Sequence, residues 1–246
     1  PRQVVAPHEP MPLPFRDLRE VPPAEREAAA LQAAAKDAAR PFDLACPPLF
    51  RPLLLRLDEE EHLLLLTAHH IVTDGWSMGV LYDELAALYE AFAAGRPPPL
   101  PDLPIQYADF ALWQRRWITD DALTEQLAFW RNRLAAPPPV LELPADRRRP
   151  PVQTFGGHKR FLRLPETLSA GVRSLCRREG VTPFMLLVAA FQTLLHRIAG
   201  ADDLVVGTPI SGRGRAETEG LIGLFTNTLP LRCDLSGNPT FRELLG

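Results

Sequence analysis

Leu63-Leu64-Leu65-Leu66-Thr67-Ala68-His69-His70-Ile71-Val72-Thr73-Asp74-Gly75-Trp76-Ser77-Met78 is the stretch on which the fold reading turns. Leu63 to Leu66 form a short apolar run that reads as a buried strand. From Met78 onward, Leu81, Leu85, Leu88 and Phe92 recur at three- and four-residue steps, which predicts an amphipathic helix with that face on the core. The paired histidines therefore stand where a rigid strand ends and an accessible turn begins, a place from which folds present reactive groups. An imidazole can accept and return a proton near neutral pH. Asp74, four positions after His70, can orient the ring or brace the loop.

Working outward, residues 49–57 and 62–68 read as two strands of a hairpin joined through Asp58-Glu59-Glu60-Glu61. Upstream, strong helix formers fill 24–40, and a short strand is expected at 3–5 within the proline-rich start. Downstream, Pro97-Pro98-Pro99 and Pro101 stop the long helix, and helices follow at 105–117 and 121–134. A second proline-rich stretch, from Pro137 to Pro151, is the expected boundary between a lobe over 1–150 and the beginning of another over 151–246. Beyond it come a strand at 159–164, a helix at 166–178, and a helix opened by Thr182-Pro183, an N-cap followed by proline at the first helical position. Phe184, Leu187, Val188, Phe191, Leu194 and Ile198 are the expected buried face of that helix. Strands near 204–207 and 224–235, and a helix beginning within 239–246, complete the chain. Strands and helices interleave, so the class is α/β, helices packed on mixed sheets.

Composition removes several functions. The 246 residues are 46% hydrophobic, enough for a substantial core. A net charge of -3 gives no electrostatic case for nucleic acid. No apolar run approaches the ~20 residues that span a bilayer, so no membrane is expected and the cytoplasm is the expected compartment. Lys36 and Lys159 are the only lysines, and arginine use with abundant alanine and proline points to a GC-rich bacterial genome. Cys46, Cys176 and Cys233 are widely spaced and odd in number, so they read as reduced, core-like cysteines rather than disulfides. Adjacent histidines rarely reach one ion together, and no distant third ligand stands out, so no metal is expected. No GxSxG elbow is present, and Gly207-Thr208-Pro209-Ile210-Ser211-Gly212-Arg213-Gly214-Arg215 lacks the ending of a phosphate-binding loop.

His69-His70-Ile71-Val72-Thr73-Asp74-Gly75 resembles the HHxxxDG motif of the condensation domains of nonribosomal peptide synthetases. Tyr107-Ala108-Asp109-Phe110-Ala111-Leu112-Trp113 resembles their YxDFAxW motif, and Ile222-Gly223-Leu224-Phe225-Thr226-Asn227-Thr228 with Arg232 resembles their IGxFxNTxxxR motif. The family's opening SxAQxR and RHExLR segments are not seen, nor are motifs beyond the asparagine-threonine strand. The chain therefore reads as the middle of such a domain, truncated at both ends and expected to be inactive in isolation.

The resemblance implies a two-lobed chloramphenicol-acetyltransferase-like sandwich and amide-bond formation between a donor acyl thioester and the amine of an acceptor aminoacyl thioester. Both substrates would ride on peptidyl carrier proteins, whose phosphopantetheine arms belong to those partners, so no cofactor is expected on this chain. A neighbouring adenylation domain is the other implied partner. His70 is the implied catalytic residue and Gly75 N–H a candidate oxyanion donor. Asp74 is grouped with them but reads as structural. In the family it pairs with an arginine of the unseen RHExLR segment, so here it is expected to lack its partner and to leave the loop less ordered. Gly75 is also expected to need a backbone that a side chain would hinder. His69 shapes the loop, Trp76 packs, and Tyr107, Asp109, Phe110 and Trp113 form a packing helix face. Asn227 reads equally as a polar contact lining a tunnel or as a strand-edge asparagine. The intact Asp74-Gly75 argues against epimerase relatives and His69 against heterocyclising ones, which favours the subtype joining two L residues. The alternatives are an acyl-CoA-dependent HxxxD acyltransferase and a non-catalytic carrier-protein docking domain.

Overall fold

A computed structural model describes residues 2–7, 9–136, 140–147, 150–154 and 156–245, apart from the Asp120 side chain. The chain divides into two compact units: Pro1–Thr119 with Ser211–Asn227, and Asp120–Ile210 with Thr228–Gly246. These limits do not coincide with the lobe boundary expected at 150. The prolines Pro137, Pro138 and Pro139 within that expected linker lie outside the described residues.

The first unit is built on a three-stranded mixed sheet in the order β1-β2-β3, with β1 at Phe15–Asp17, β2 at Phe50–Arg56 and β3 at His62–Ala68. Helix α1 (Pro23–Ala39) precedes β2. β1 runs parallel to β2, and β2 runs antiparallel to β3 with Leu53 opposite Leu65 and Leu55 opposite Leu63. Side chains alternate across a strand. Leu53, Leu55, Leu63 and Leu65 therefore share the face that packs with Leu18, Ala30 and Ala33. Two alanines at a three-residue step let α1 lie close to this sheet. Arg26 ties the helix to the hairpin by donating to the carbonyls of Val21 and Leu57 at 3.0 and 2.8 Å. The run Leu63 to Leu66 is half-buried rather than buried, as is most of the central strand β2.

After β3 comes a single 3-10 turn, His70–Val72, and then α2 (Gly75–Ala93). Of the face expected on the core, Met78, Leu81 and Leu88 are half-buried, but Leu85 and Phe92 are exposed. The helix is apolar over more of its circumference than one contact covers, and Ser77 and Ala91 are the residues it buries. Helix α3 (Tyr107–Trp117) is capped by Asp109, whose carboxylate accepts from Gln106 N at 2.8 Å.

The second unit holds α4 (Asp120–Arg133), α5 (Glu166–Glu179), α6 (Pro183–Ala199), a two-stranded sheet of β4 (Asp203–Ile210) and β5 (Asn227–Asp234), and α7 (Phe241–Leu245). Thr182 caps α6 as expected, its hydroxyl accepting from Met185 N at 3.2 Å. The expected face of α6 is wrong except at half-buried Val188. Phe184, Leu187, Phe191, Leu194 and Ile198 are exposed, while Leu186, Ala189, Gln192 and Leu195 are buried. An almost wholly apolar helix offers no polar side from which its inward face can be read.

Three further expectations are corrected. Residues 3–5 and 159–164 form no strand, and Val4, Phe161 and Leu162 are exposed. A strand exists only where a neighbour takes its hydrogen bonds, and Phe15–Asp17 occupies the free edge of β2. Of the cysteines, Cys176 is core, Cys233 is half-buried and Cys46 is exposed. Leu55, 0% exposed at the centre of the first core, is its most sensitive point. Leu55→Ala is expected to cost about 2–5 kcal/mol in a urea-unfolding measurement.

Candidate active site

The histidine turn is ordered by its own side chains. His69 N donates to Leu49 O at 3.0 Å, which extends the β2–β3 pairing one step past β3. The His69 ring then accepts at Nδ1 from Ile71 N at 3.0 Å, capping the 3-10 turn. The His70 ring places Nδ1 2.7 Å from Thr73 O. A carbonyl oxygen only accepts, so the proton is on Nδ1 of His70, and in the neutral ring Nε2 keeps the lone pair. His69 must be the opposite tautomer, because its Nδ1 accepts. His70 is exposed. The candidate base thus stands at the surface of its unit, its inner nitrogen anchored and its outer nitrogen without a hydrogen-bond partner among the described residues.

Behind this turn lies a buried polar cluster. Asp74 Oδ1 accepts from Ser77 N at 2.8 Å, which makes Asp74 the N-cap of α2. Asp74 Oδ2 accepts from Phe225 N at 3.0 Å and from Thr226 Oγ1 at 3.3 Å. Arg213 lies 3.3 Å from Asp74 Oδ1, and both side chains are 1% exposed. Arg213 also donates to Ser77 Oγ at 2.8 Å, to Leu221 O at 2.9 Å and to Thr218 O, with Phe225 beneath its guanidinium at 3.9 Å. Ser77 Oγ has one proton, for which Asp74 Oδ1 and Gly223 O are both 2.8 Å away, and it accepts from Gly223 N at 3.0 Å. The cluster fastens the start of α2 to residues 211–227.

The expectation that Asp74 lacks its partner is therefore overturned: Arg213 supplies the charge. Burial alone would raise the Asp74 pKa, but the amides of Ser77 and Phe225, the Ser77 hydroxyl and the Arg213 charge outweigh it. They hold the carboxyl well below the usual carboxylate range. Two glycines make the approach possible. Gly212 has φ of +66°, and a Cβ there would stand 2.1 Å from Phe225 O. A Cβ on Gly223 would stand 2.1 Å from the Tyr107 ring, whose hydroxyl donates to Leu224 O at 2.8 Å.

A family model for the condensation domain matches residues 1–246. The chain belongs to the condensation-domain family. It is 54% identical over 230 residues to a component of the linear gramicidin synthase of Brevibacillus parabrevis, covering 94% of this chain and 3% of that protein. It is 48% identical over 245 residues to phosphinothricin tripeptide synthetase PhsC of Streptomyces viridochromogenes, covering 100% of this chain and 23% of that protein. Among solved structures it is similar to the X-domain from teicoplanin biosynthesis, with a TM-score of 0.85 and 33% identity over 99% of this chain and 54% of that one. The first condensation domain of the CDA synthetase matches with a TM-score of 0.75 and 27% identity over 97% of this chain and 52% of that one. The chain has the α/β, chloramphenicol-acetyltransferase-like fold of these domains, and it spans a small part of the synthetases and about half of the solved chains.

The remaining motif residues of this condensation domain fall into place around the cluster. Tyr107 and Phe110 pack on Phe225 with ring centroids 5.1 and 4.7 Å away, and Trp113 follows Phe110 at 5.8 Å, so these three form a packing face, whereas Asp109 is exposed and caps the helix. Trp76 is half-exposed rather than packed, and it is pinned by its Nε1 donating to Glu219 O at 2.8 Å. Gly75 does not need its missing side chain: it opens α2 without a positive φ, and a Cβ there would meet open space. Asn227 is exposed at the start of β5, one residue after Thr226. Sequence reasoning missed Arg213 and Ser77. The available signal for Arg213 was an arginine set between Gly212 and Gly214, where small neighbours allow a buried approach. No helix among the described residues is by itself long and apolar enough to cross a membrane, and no group of three or more possible ligands among them could hold a metal ion.

Removing Arg213 leaves a buried, uncompensated carboxylate. Arg213→Ala is expected to lower unfolding free energy by about 3–5 kcal/mol, and Arg213→Lys to restore only part, because an ammonium cannot reproduce the fork of donors. The pH dependence follows from the depressed Asp74 pKa. Its contribution is complete above the unfolded value of about 3.9 and is lost as pH falls below it. Between pH 7 and about pH 3, Asp74→Asn should therefore lose less stability than the wild type, measured by denaturant titration at each pH.

Proposed function

We propose that this domain forms an amide bond between two carrier-tethered substrates, with His70 as its central catalytic residue. The observation that carries the reading is the exposed His70 ring, its Nδ1 held by Thr73 O and its Nε2 without a hydrogen-bond partner among the described residues. In the proposed reaction the acceptor α-amine attacks the donor thioester carbonyl. A free α-amine has a pKa of about 7.7–8.0, so a useful fraction of it is already neutral at cytoplasmic pH. Attack forms the C–N bond and leaves a positive nitrogen and a negative oxygen. Nε2 of His70 receives the nitrogen proton, the C–S bond then breaks, and the departing thiolate takes that proton, which returns His70 to its neutral form. The amide of Gly75 is in the first turn of α2, where helical N–H groups lack intrahelical acceptors, so it is placed to favour the oxyanion.

In this reading Asp74 works from behind, holding the turn without touching substrate. His69 shapes the turn, and Asn227 is assigned to the substrate side on its exposure. The substrates arrive on phosphopantetheine arms of donor and acceptor carrier proteins, loaded by an adenylation domain, and the setting is the cytoplasm. Residues 1–150 are assigned to the histidine-bearing lobe and 151–246 to the start of the second. The family match and the Tyr107 and Ile222 motifs favour this over an acyl-CoA-dependent acyltransferase.

A docking role without catalysis is the rival reading, since a related solved structure is a complex of the X-domain and OxyB from teicoplanin biosynthesis. One substitution separates the two. In the native polypeptide that contains these residues, assayed with loaded donor and acceptor carrier proteins, His70→Ala should lower condensation about 10²–10⁴-fold. Undiminished turnover would remove His70 from the chemistry, and absence of condensation in the unsubstituted polypeptide would leave docking.

A further inference from the structure

The C-terminus of α1 is joined to the histidine turn through a stack of side chains that no motif predicts. Arg51, on β2, donates to the last carbonyls of α1 and the chain beyond it: Asp37 O at 2.9 Å, Arg40 O at 2.9 Å and Pro41 O at 3.4 Å. Its Nε lies 3.5 Å from Asp37 Oδ1, and Asp37 Oδ2 accepts from Thr67 Oγ1 on β3 at 2.6 Å. Both Arg51 and Asp37 are largely shielded, with side chains 15% and 17% exposed. A planar guanidinium held by so many acceptors presents a fixed face. The Phe42 ring lies against that face, with its centroid 3.7 Å from the Arg51 carbon, a cation–π geometry. On its other flank Phe42 meets His69 in a T-shaped contact, with centroids 5.9 Å apart and planes at 84°.

His69 is the residue whose Nδ1 caps the turn carrying His70. A single hydrogen bond to Ile71 N restrains one atom of that ring. The terminal torsion of histidine is otherwise broad and roughly two-fold, and a flip would put a carbon where the acceptor is needed. A T-shaped neighbour selects one ring orientation. Phe42 is half-buried and belongs to none of the buried clusters, so packing the core is not its main task.

We infer that Phe42, clamped by Arg51, is a positioning residue for the reaction: it fixes the His69 ring, and through it the turn on which His70 stands. This rests on the catalytic reading of His70 given above. The test uses Phe42→Ala, Phe42→Leu and Phe42→Tyr in the native polypeptide, with kcat and KM from the two-carrier assay and the Ile71 amide exchange rate from hydrogen–deuterium exchange on the same polypeptide. Losing the ring should lower kcat about ten- to a hundred-fold, the scale of a small misplacement of a catalytic group, with KM within about twofold. Ile71 exchange should quicken about tenfold as its acceptor swings away. Phe42→Leu keeps apolar bulk, so it reports the loss of the ring even where Phe42→Ala fails to fold, and Phe42→Tyr should restore both readouts. Unchanged kcat in Phe42→Leu, unchanged Ile71 exchange, or no rescue by Phe42→Tyr would each overturn the inference. If the wild type itself forms no amide, the catalytic reading has failed, and Ile71 exchange alone then decides whether Phe42 orders the turn.

Discussion

The buried pairing of Asp74 with Arg213 is the constraint on which the rest of the first unit depends. A carboxylate and a guanidinium withdrawn from water are tolerable only when their remaining lone pairs and protons are met. Here the carboxylate receives two backbone amides and two hydroxyls, and the guanidinium reaches two backbone carbonyls. Arg213 Nε is the one buried atom of the pair without a hydrogen bond. The Phe225 ring lies under the guanidinium, its centroid 3.9 Å from the central carbon. Because each partner comes from a distant part of the chain, satisfying one charge means bringing residues 211–227 onto the start of α2.

That arrangement separates rigidity from chemistry. The aspartate of the motif faces inward and takes part in no open surface, while the histidine four residues before it faces outward. The same short turn therefore has a fixed back and an accessible front. In the proposed reaction, preorganisation of this kind matters because a proton-accepting nitrogen is effective only when its position does not have to be found anew with each substrate. The two histidines divide the work by tautomer: one ring nitrogen of His69 accepts a backbone proton, and the matching nitrogen of His70 donates to a backbone carbonyl. Adjacent residues of the same type thus hold opposite protonation patterns, set by their local backbone partners.

Much of this was legible in the residues. The hairpin of β2 and β3 followed from two apolar runs around an acidic turn, the α6 start from Thr182-Pro183, and the family from three ordered motifs. Burial was less legible. In α6 and α2 leucines and phenylalanines surround the helix, so periodicity could not say which row faced inward, and small or polar residues such as Ala189, Gln192 and Ser77 turned out to be the buried ones. The segments 3–5 and 159–164 have strand composition but lack a neighbour to pair with, a fact no local pattern contains. Arg213 escaped notice for a similar reason. Its partner is 139 positions away, and ion pairing across such a distance leaves no spacing to read.

An ordered histidine turn requires that Asp74 and Arg213 act as one unit. A double-mutant cycle of Asp74→Asn and Arg213→Ala, read in unfolding free energy, isolates their coupling. The two single losses should overlap, so that the double variant is less damaged than their sum by about 1–3 kcal/mol. Losses that simply add would contradict it, and the histidine turn would then owe its order to some other contact.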